Sequence, residues 1–100
     1  MIVRLWRGMA ADRPNADAYL RHLGANVLPA LAKIDGYRDV RVLRREAHGG
    51  VEFLLMTFWD SMAAIRGFAG ADPERAVVEP EARAVLAEYD NFVRHYEVER

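Results

Sequence analysis

The segment 51–59, with the sequence VEFLLMTFW, constrains the fold more than any other part of the chain. It is rich in β-branched and aromatic residues, which predicts a strand. Because side chains alternate along a strand, both faces of the sheet that contains it are apolar. One predicted face carries Leu54, Met56 and Phe58, and the other carries Val51, Phe53, Leu55, Thr57 and Trp59.

Three further segments are predicted to be strands. Residues 2–10 (IVRLWRGMA), 37–47 (YRDVRVLRREA) and 91–99 (NFVRHYEVE) are short and rich in β-branched or aromatic residues. The sequence HGG at 48–50 predicts a tight turn, because glycine adopts positive φ at little cost. Segments 37–47 and 51–59 are therefore predicted to form a hairpin.

The first helix is predicted after the first strand. Apolar residues recur at helical spacing from residue 16 to residue 34. Asp12 or Asn15 is the predicted N-cap, because both side chains accept a hydrogen bond from the first helical turn. Pro29 has no N–H and disfavours helical geometry at Leu28, which predicts a kink or break there.

The second helical region follows the third strand. Asp60 or Ser61 is the predicted N-cap, and the glycines within 67–70 are predicted to end this helix. Residues 71–80 are predicted to contain a short helical turn. A last helical piece is predicted over about 80–89, with a proline at its start.

The predicted order of elements is βαββαβ, the ferredoxin-like arrangement of an α+β fold with a four-stranded antiparallel sheet. We expect residues 1–100 to form a single domain of this type. Right-handed crossovers place both helices on one face of the sheet. The face with Leu54, Met56 and Phe58 then has no cover within one chain, so we expect a homodimer that buries it.

Composition excludes several functional classes. The chain has no cysteine, which excludes disulfides and thiolate metal sites and is compatible with the cytoplasm, where we expect the protein. A net charge of −1 argues against nucleic acid as a partner. No apolar run is long enough for a membrane span, and Arg4 and Arg7 interrupt the first segment, which is not expected to be a signal peptide. Ser61 is the only serine, so a serine hydrolase triad is not expected.

Two histidines are candidates for acid–base chemistry. His22 follows Tyr19 by three residues in the first helix, so the two share a face and either line a cavity or lie at the surface. His95 shares a strand face with Glu97, which resembles a pair of metal ligands, but the sequence offers no convergent third ligand. We therefore predict no metal, and His95 is either a base or a structural residue.

Aromatic and basic residues supply further candidates. Trp59 ends the third strand directly before the helix cap, so it is either core or a ligand-stacking wall. Arg4, Arg7, Arg41 and Arg45 interrupt two strands and need carboxylate partners wherever they are buried. We favour ion pairs at a dimer interface over a substrate clamp. The carboxylates that could supply these pairs are Asp39, Glu46 and Glu97.

Five stretches together resemble a known family. They are WRG at 6–8, ADAYLRHLGANVLPALAKIDGY at 16–37, LLMTFWDSMAAIRGFAG at 54–70, AVVEPEAR at 76–83 and RHYEV at 94–98. They are similar to the antibiotic biosynthesis monooxygenase family over nearly the whole chain. The resemblance implies a dimeric α+β barrel, in which the sheets of two subunits face each other and each subunit keeps a pocket between sheet and helices.

The resemblance also implies a cofactor-independent monooxygenase that oxidises a planar phenolic substrate with O₂. Such chemistry needs a base, for which we consider His22 and His95, and a hydrogen-bond partner, for which we consider Tyr19. No cofactor is expected. The residues expected to contact the substrate are Trp6, Trp59, Phe53 and Phe68.

Two alternative functions are haem degradation and a non-catalytic role. Trp59 matches the pocket tryptophan of related haem-degrading enzymes, which also use an asparagine on the first strand and a histidine in the second helical region. Here the first strand carries Trp6 and Arg7, and residues 61–90 contain no histidine, so haem degradation is not expected. A non-catalytic homodimer that binds a small ligand or has a structural role stays open.

Overall fold

The computed structural model describes residues 1–100 as a sheet with helices packed on one face. The strands are β1 (Ile2–Ala10), β2 (Tyr37–Ala47), β3 (Gly50–Trp59), β4 (Glu88–Tyr89) and β5 (Arg94–Glu97). The helices are α1 (Arg13–His22), α2 (Leu28–Leu31), α3 (Met62–Ala69) and α4 (Pro80–Val85), and a π-helical turn (Leu23–Val27) joins α1 to α2. None of these helices has both the length and the apolar character that a membrane span requires.

The sheet is antiparallel throughout, with the strand order β2–β3–β1 and with β4 and β5 both paired to the remaining edge of β1. This arrangement confirms the predicted ferredoxin-like α+β order. The last strand predicted over 91–99 is present but shorter, since β5 spans only 94–97, and the two-residue strand β4 before it was not predicted. Strand β5 pairs with residues 2–5, and β4 pairs with residues 8–9.

The last helix is shorter than the sequence predicts. It begins at Pro80 but ends at Val85, and Leu86 already has an extended backbone with φ −100° and ψ 132°. The N–H of Ala87 donates to the carbonyl of Met9 at 2.8 Å. Hydrogen bonds to the open edge of β1 thus pair the backbone groups that a longer helix would have paired internally.

The segment 71–79 contains no helix, so the helical turn predicted there is wrong. Its backbone instead bonds to the segment before β5. The N–H of Ala76 donates to the carbonyl of Asn91 at 2.8 Å, and the N–H of Val93 donates to the carbonyl of Glu74 at 2.7 Å. These bonds hold an irregular strap against the sheet edge.

The first helix begins as predicted but is not broken at its proline. Asp12 is the N-cap, since its Oδ1 accepts the N–H of Asn15 at 2.9 Å. Leu28 is helical, with φ −62° and ψ −41°, and its N–H donates to the carbonyl of Leu23, five residues back. Of the predicted kink or break, the break is wrong, because the wider π turn makes room for the Pro29 ring and distorts the helix without interrupting it.

Helix α3 lies close to the chain that enters β2. Ser61 is its N-cap, with Oγ accepting the N–H of Ala64 at 3.2 Å, and the helix ends before Gly70, where φ is 90°. Gly36 also has positive φ, and a Cβ there would lie 2.4 Å from the Cβ of Ala64. Only glycine allows this close approach, which fixes α3 over the end of β3.

The two faces of the sheet are covered unequally. Beneath the helices, Val51, Phe53 and Trp59 are at most 1% exposed. The opposite face, called the open face here, has no helix over it, and this agrees with the prediction that one chain cannot cover both sides. The homodimer stays a prediction. The apolar side chains on the open face include Leu5, Leu43, Leu54, Met56, Phe58 and Tyr96.

The carboxylates that pair with the arginines on the open face differ in part from those predicted. Glu52 lies between two guanidinium groups, 2.7 Å from Arg45 and 2.5 Å from Arg7, and hydrogen bonds from these two lower its pKa. Arg41 contacts Asp39 at 2.6 Å, as predicted. The other two carboxylates proposed from the sequence do not contact these arginines. Glu52 was missed because its register opposite Arg45 depends on the hairpin turn.

Candidate functional site

A cavity lies between the helix-covered face of the sheet, the α1–α2 helices and the strap formed by 71–79. Its volume is ≈ 70 Å³. This is well below the range of about 300–1,000 Å³ that is typical of pockets for drug-sized ligands. Most of its lining is apolar, so any charge inside it is poorly solvated. The apolar lining includes Trp6, Leu23, Val27, Leu31, Leu55, Phe68 and Val78.

Five polar or ionisable side chains also line the cavity. Arg4 comes from β1 and Thr57 from β3, and the register of these strands places the two residues directly opposite each other. Tyr19 and His22 come from one face of α1, as the three-residue spacing predicts. Glu79 immediately precedes α4. The structure therefore brings two of the predicted catalytic residues together at one cavity.

His22 is the least satisfied polar group of the site. Its side chain is 7% exposed, and its Nε2 has no hydrogen-bond partner. Its Nδ1 lies 3.0 Å from the amide nitrogen of Asn26. That amide can present either its N–H or its carbonyl to Nδ1, and the second orientation leaves the Nε2 lone pair free. With the amide carbonyl turned toward Nδ1, the buried Nε2 is an acceptor without a partner and can take a proton from a ligand.

Tyr19 is held rigidly beside His22. Its ring lies 5.0 Å from Phe53 and 6.2 Å from Trp6, measured between ring centroids. Burial raises the pKa of Tyr19, and the carboxylate of Glu79 raises it further. The phenol therefore stays protonated at any physiological pH and can act as a hydrogen-bond donor.

The four predicted aromatic contacts divide into two groups. Trp6 and Phe68 line the cavity. Trp59 and Phe53 do not, since both are 0% exposed. Trp59 stacks on Phe68 at 5.6 Å and donates its Nε1 hydrogen to Thr57 Oγ1 at 2.9 Å. Trp59 therefore supports the cavity from behind, which agrees with the core alternative and not with direct contact to a ligand.

His95 lies behind Arg4 and does not line the cavity. Its Nε2 is 3.0 Å from NH1 of Arg4. Burial lowers the pKa of His95, the charge of Arg4 lowers it further, and the carboxylate of Glu74 has a weaker opposing effect. A neutral imidazole at this position accepts a hydrogen bond from the guanidinium, so His95 is placed to orient Arg4.

The sequence analysis favoured an interface ion pair over a substrate clamp as the role of Arg4. It is 5% exposed, lines the cavity and has no carboxylate within salt-bridge distance. The alternation of β1 could have predicted its position, because Arg4 is two residues before Trp6 and shares its face. Glu79 could not have been found in this way, because it follows an irregular segment.

One group of side chains has the composition of a metal site. Donor atoms of His22, Glu79 and Glu81 lie within 4.8 Å of one another. One imidazole and two carboxylates suit a divalent transition metal. However, Glu79 lies 3.9 Å from Nε2, while Glu81 lies 4.0 Å from Nδ1. The two carboxylates thus face different nitrogens, and a single ion would require the histidine or a glutamate to move.

Comparisons with known proteins agree with this architecture. The family model described as antibiotic biosynthesis monooxygenase matches residues 3–80. No curated protein is similar enough in sequence to match. SnoaB, a cofactor-independent oxygenase from Streptomyces nogalater, is 13% identical with a TM-score of 0.68, and the match covers 99% of this chain and 93% of SnoaB.

Two further solved structures have the same fold. Rv0793 from Mycobacterium tuberculosis is 22% identical with a TM-score of 0.59, over 97% of this chain and 93% of its own. A conserved protein from Methanosarcina mazei Go1 is 14% identical with a TM-score of 0.64, over 95% of this chain and 89% of its own. At such identities, the likeness concerns the fold and not the side chains of the cavity.

Proposed function

Because the chain belongs to the antibiotic biosynthesis monooxygenase family, we propose that it oxidises a small phenolic substrate with O₂ and without a bound cofactor. The observation that carries the proposal is the buried, unpartnered Nε2 of His22 at a largely apolar cavity. The likeness of the fold to SnoaB, a cofactor-independent oxygenase, supports the same class of reaction.

In the proposed reaction, His22 accepts a proton from an acidic phenol or from a carbon next to it. The substrate anion then gives an electron to O₂, and recombination of the two radicals forms a C–O bond to a peroxide. Loss of water leaves a ketone or quinone. One oxygen atom stays in the product, the other leaves as water, and the substrate supplies all four electrons that O₂ takes up.

The surrounding residues have supporting roles in this reaction. Trp6 and Phe68 hold the flat ring of the substrate. The neutral phenol of Tyr19 donates a hydrogen bond to the oxygen on which negative charge develops. Low polarity in the cavity excludes water from the reactive anion. His95, the other base considered from the sequence, serves to orient Arg4 in this proposal.

The size of the cavity limits the substrate. A volume of ≈ 70 Å³ is about half that of the roughly 150 Å³ cavity known to bind benzene, so a single ring already requires a small movement of the lining, and a polycyclic compound requires a much larger movement of the strap at 71–79. The proposed substrate is therefore a single substituted ring, smaller than the planar polycyclic compounds implied by the family resemblance.

We also propose that two copies pair through their open faces to form a dimeric α+β barrel. The partly buried Leu54, Met56 and Phe58 would then be covered by a second sheet. The cavity is on the other side of the sheet, so each subunit would keep its own site.

A non-catalytic ligand-binding protein is the second candidate. The small cavity volume and the full burial of Trp59 and Phe53 favour it, because less aromatic surface is open to a ligand. Such a protein would bind a phenol at the cavity but would not consume oxygen.

Oxygen uptake with a panel of single-ring phenols, measured in the presence of a chelator, tests the proposal. We expect His22→Ala to lower the rate at least tenfold, near the lower limit for loss of an acid–base group. His48→Ala is the matched control, because His48 lies exposed in the hairpin turn. Full activity of His22→Ala would reject the assigned base, and absence of uptake with every phenol would favour the second candidate.

A further inference from the structure

Arg4 differs from every other arginine of the chain. Its side chain is buried, yet no carboxylate oxygen lies within 4.0 Å of its guanidinium. The remaining arginines either pair with an acid, as Arg7 does with Glu52, or are exposed to solvent, as Arg94 is. The most buried cation of the protein is therefore the one without a counter-charge.

The groups that hold Arg4 in place carry no negative charge. Its NH1 donates to the carbonyl of Pro73 at 2.5 Å and lies 3.0 Å from His95 Nε2, and its NH2 donates to the carbonyl of Arg75 at 3.0 Å. Its carbon Cζ lies 5.7 Å from the centroid of the Phe68 ring. These contacts fix the guanidinium, but they do not neutralise it.

Two of the five N–H donors of Arg4 stay without a partner in the chain. The three bonds above use three donors, and a guanidinium has five. Arg4 lines the cavity, so a ligand there can reach the side chain. Burial lowers the pKa of Arg4 to about 10, so the group is still positively charged at neutral pH.

We propose that the cavity binds a single-ring organic anion, with a carboxylate of that ligand paired to the free donors of Arg4. A carboxylate has the two acceptor oxygens that a guanidinium fork binds best. The apolar lining, including Trp6 and Leu55, would enclose the ring. The ligand then supplies the counter-charge that the chain lacks, and desolvation makes this pairing stronger than it would be at the surface.

The other charged group of the cavity is compatible with this orientation. Glu79 lies 3.9 Å from His22 and is not among the groups that contact Arg4. The anionic end of the ligand is therefore expected at Arg4, away from Glu79. The assignment deepens the proposed function, since it gives the phenolic substrate a carboxylate, but anion binding itself requires no turnover.

Isothermal titration with benzoate and with neutral benzamide tests the proposal without any oxidation step. We expect the wild-type protein to bind benzoate at least tenfold more tightly than benzamide. Arg4→Met should remove this preference, Arg4→Lys should retain part of it because the charge is kept, and Arg7→Met on the open face should leave it unchanged. Circular dichroism of each variant checks that it is folded.

Equal affinity of the wild-type protein for both compounds, or no binding of benzoate, would overturn the proposal even if Arg4→Met failed to fold. An unchanged preference in folded Arg4→Met would also overturn it. Normal benzoate binding in a protein that consumes no oxygen would support the anion site and reject the oxygenase function, so the two failures are distinguishable.

Discussion

NH1 of Arg4 lies 3.0 Å from Nε2 of His95, where β1 pairs with β5. A guanidinium can only donate a hydrogen bond, so Nε2 accepts and the imidazole proton resides on Nδ1. The contact is lost when His95 takes up a second proton, because two cations would then face each other. The hydrogen bond that holds Arg4 in the cavity wall therefore depends on the protonation of His95, and thus on pH.

The first prediction concerns this dependence. The unfolded chain binds a proton at the ordinary histidine pKa of about 6.5, whereas the folded chain binds it only at a lower pH. The stabilisation from neutral His95 is therefore complete above the unfolded pKa, and it is lost as pH falls through the lowered folded pKa. Burial of His95 is the main cause of its lowered pKa, the charge of Arg4 adds to it, and the carboxylate of Glu74 opposes it.

Urea unfolding between about pH 7 and pH 5 measures the effect. The wild-type protein should lose more unfolding free energy on acidification than His95→Gln, which keeps an acceptor but does not titrate. His48→Gln should follow the wild-type profile, because His48 is exposed. Parallel profiles for the wild-type protein and His95→Gln would contradict the prediction.

The sheet could be predicted from the sequence because its information is local. Alternation in 51–59 and the glycine-containing turn define the hairpin, which appears in the structure as predicted except that Gly50 already belongs to β3. The same period of two also places Arg4 beside Trp6 at the cavity, although the sequence interpretation gave Arg4 a different role. The local sequence pattern could not predict which group contacts each buried charge, because these partners come from distant segments of the chain.

The strap at 71–79, which covers the cavity, shows most clearly that local sequence patterns do not predict contacts between distant segments. Glu79 lies 3.9 Å from His22 at the end of the strap at 71–79, and this strap is hydrogen-bonded to the segment 91–93, which is distant from it in the sequence. The strap has no apolar period that would predict its course. The sequence left Trp59 as either core or a ligand-stacking wall for a related reason, since its cover depends on Phe68 stacking from α3.

The second prediction concerns assembly. Sedimentation at micromolar concentration should give twice the chain mass of 11.4 kDa. Met56→Glu should yield monomer or unfolded protein, because it would place an unpaired charge in the proposed apolar interface. Ala63→Glu, at an exposed position of α3, is the matched control and should remain dimeric. A wild-type protein that sediments as a folded monomer would contradict the proposed barrel.

The third prediction concerns metal. We expect activity to need none, because Glu79 and Glu81 face different nitrogens of His22. Elemental analysis of protein purified without chelator should find no stoichiometric zinc, iron or copper. A stoichiometric ion that disappears in both Glu79→Gln and Glu81→Gln would contradict this expectation and would assign these residues as ligands.

The last prediction separates the two tryptophans. Only Trp6 lines the cavity, whereas Trp59 is 0% exposed behind Phe68. Binding of 4-nitrophenol should therefore quench mainly the fluorescence of Trp6, because an aromatic ligand would be in direct contact with that indole. After correction for absorption by the ligand, Trp6→Phe should lose most of the quenching and Trp59→Phe should keep it. The two variants are matched, since each loses one indole hydrogen bond, to the carbonyl of Asp90 or to Thr57 Oγ1. Loss of quenching in Trp59→Phe alone would show that the ligand enters from the α3 side, and it would support the ligand-stacking alternative for Trp59.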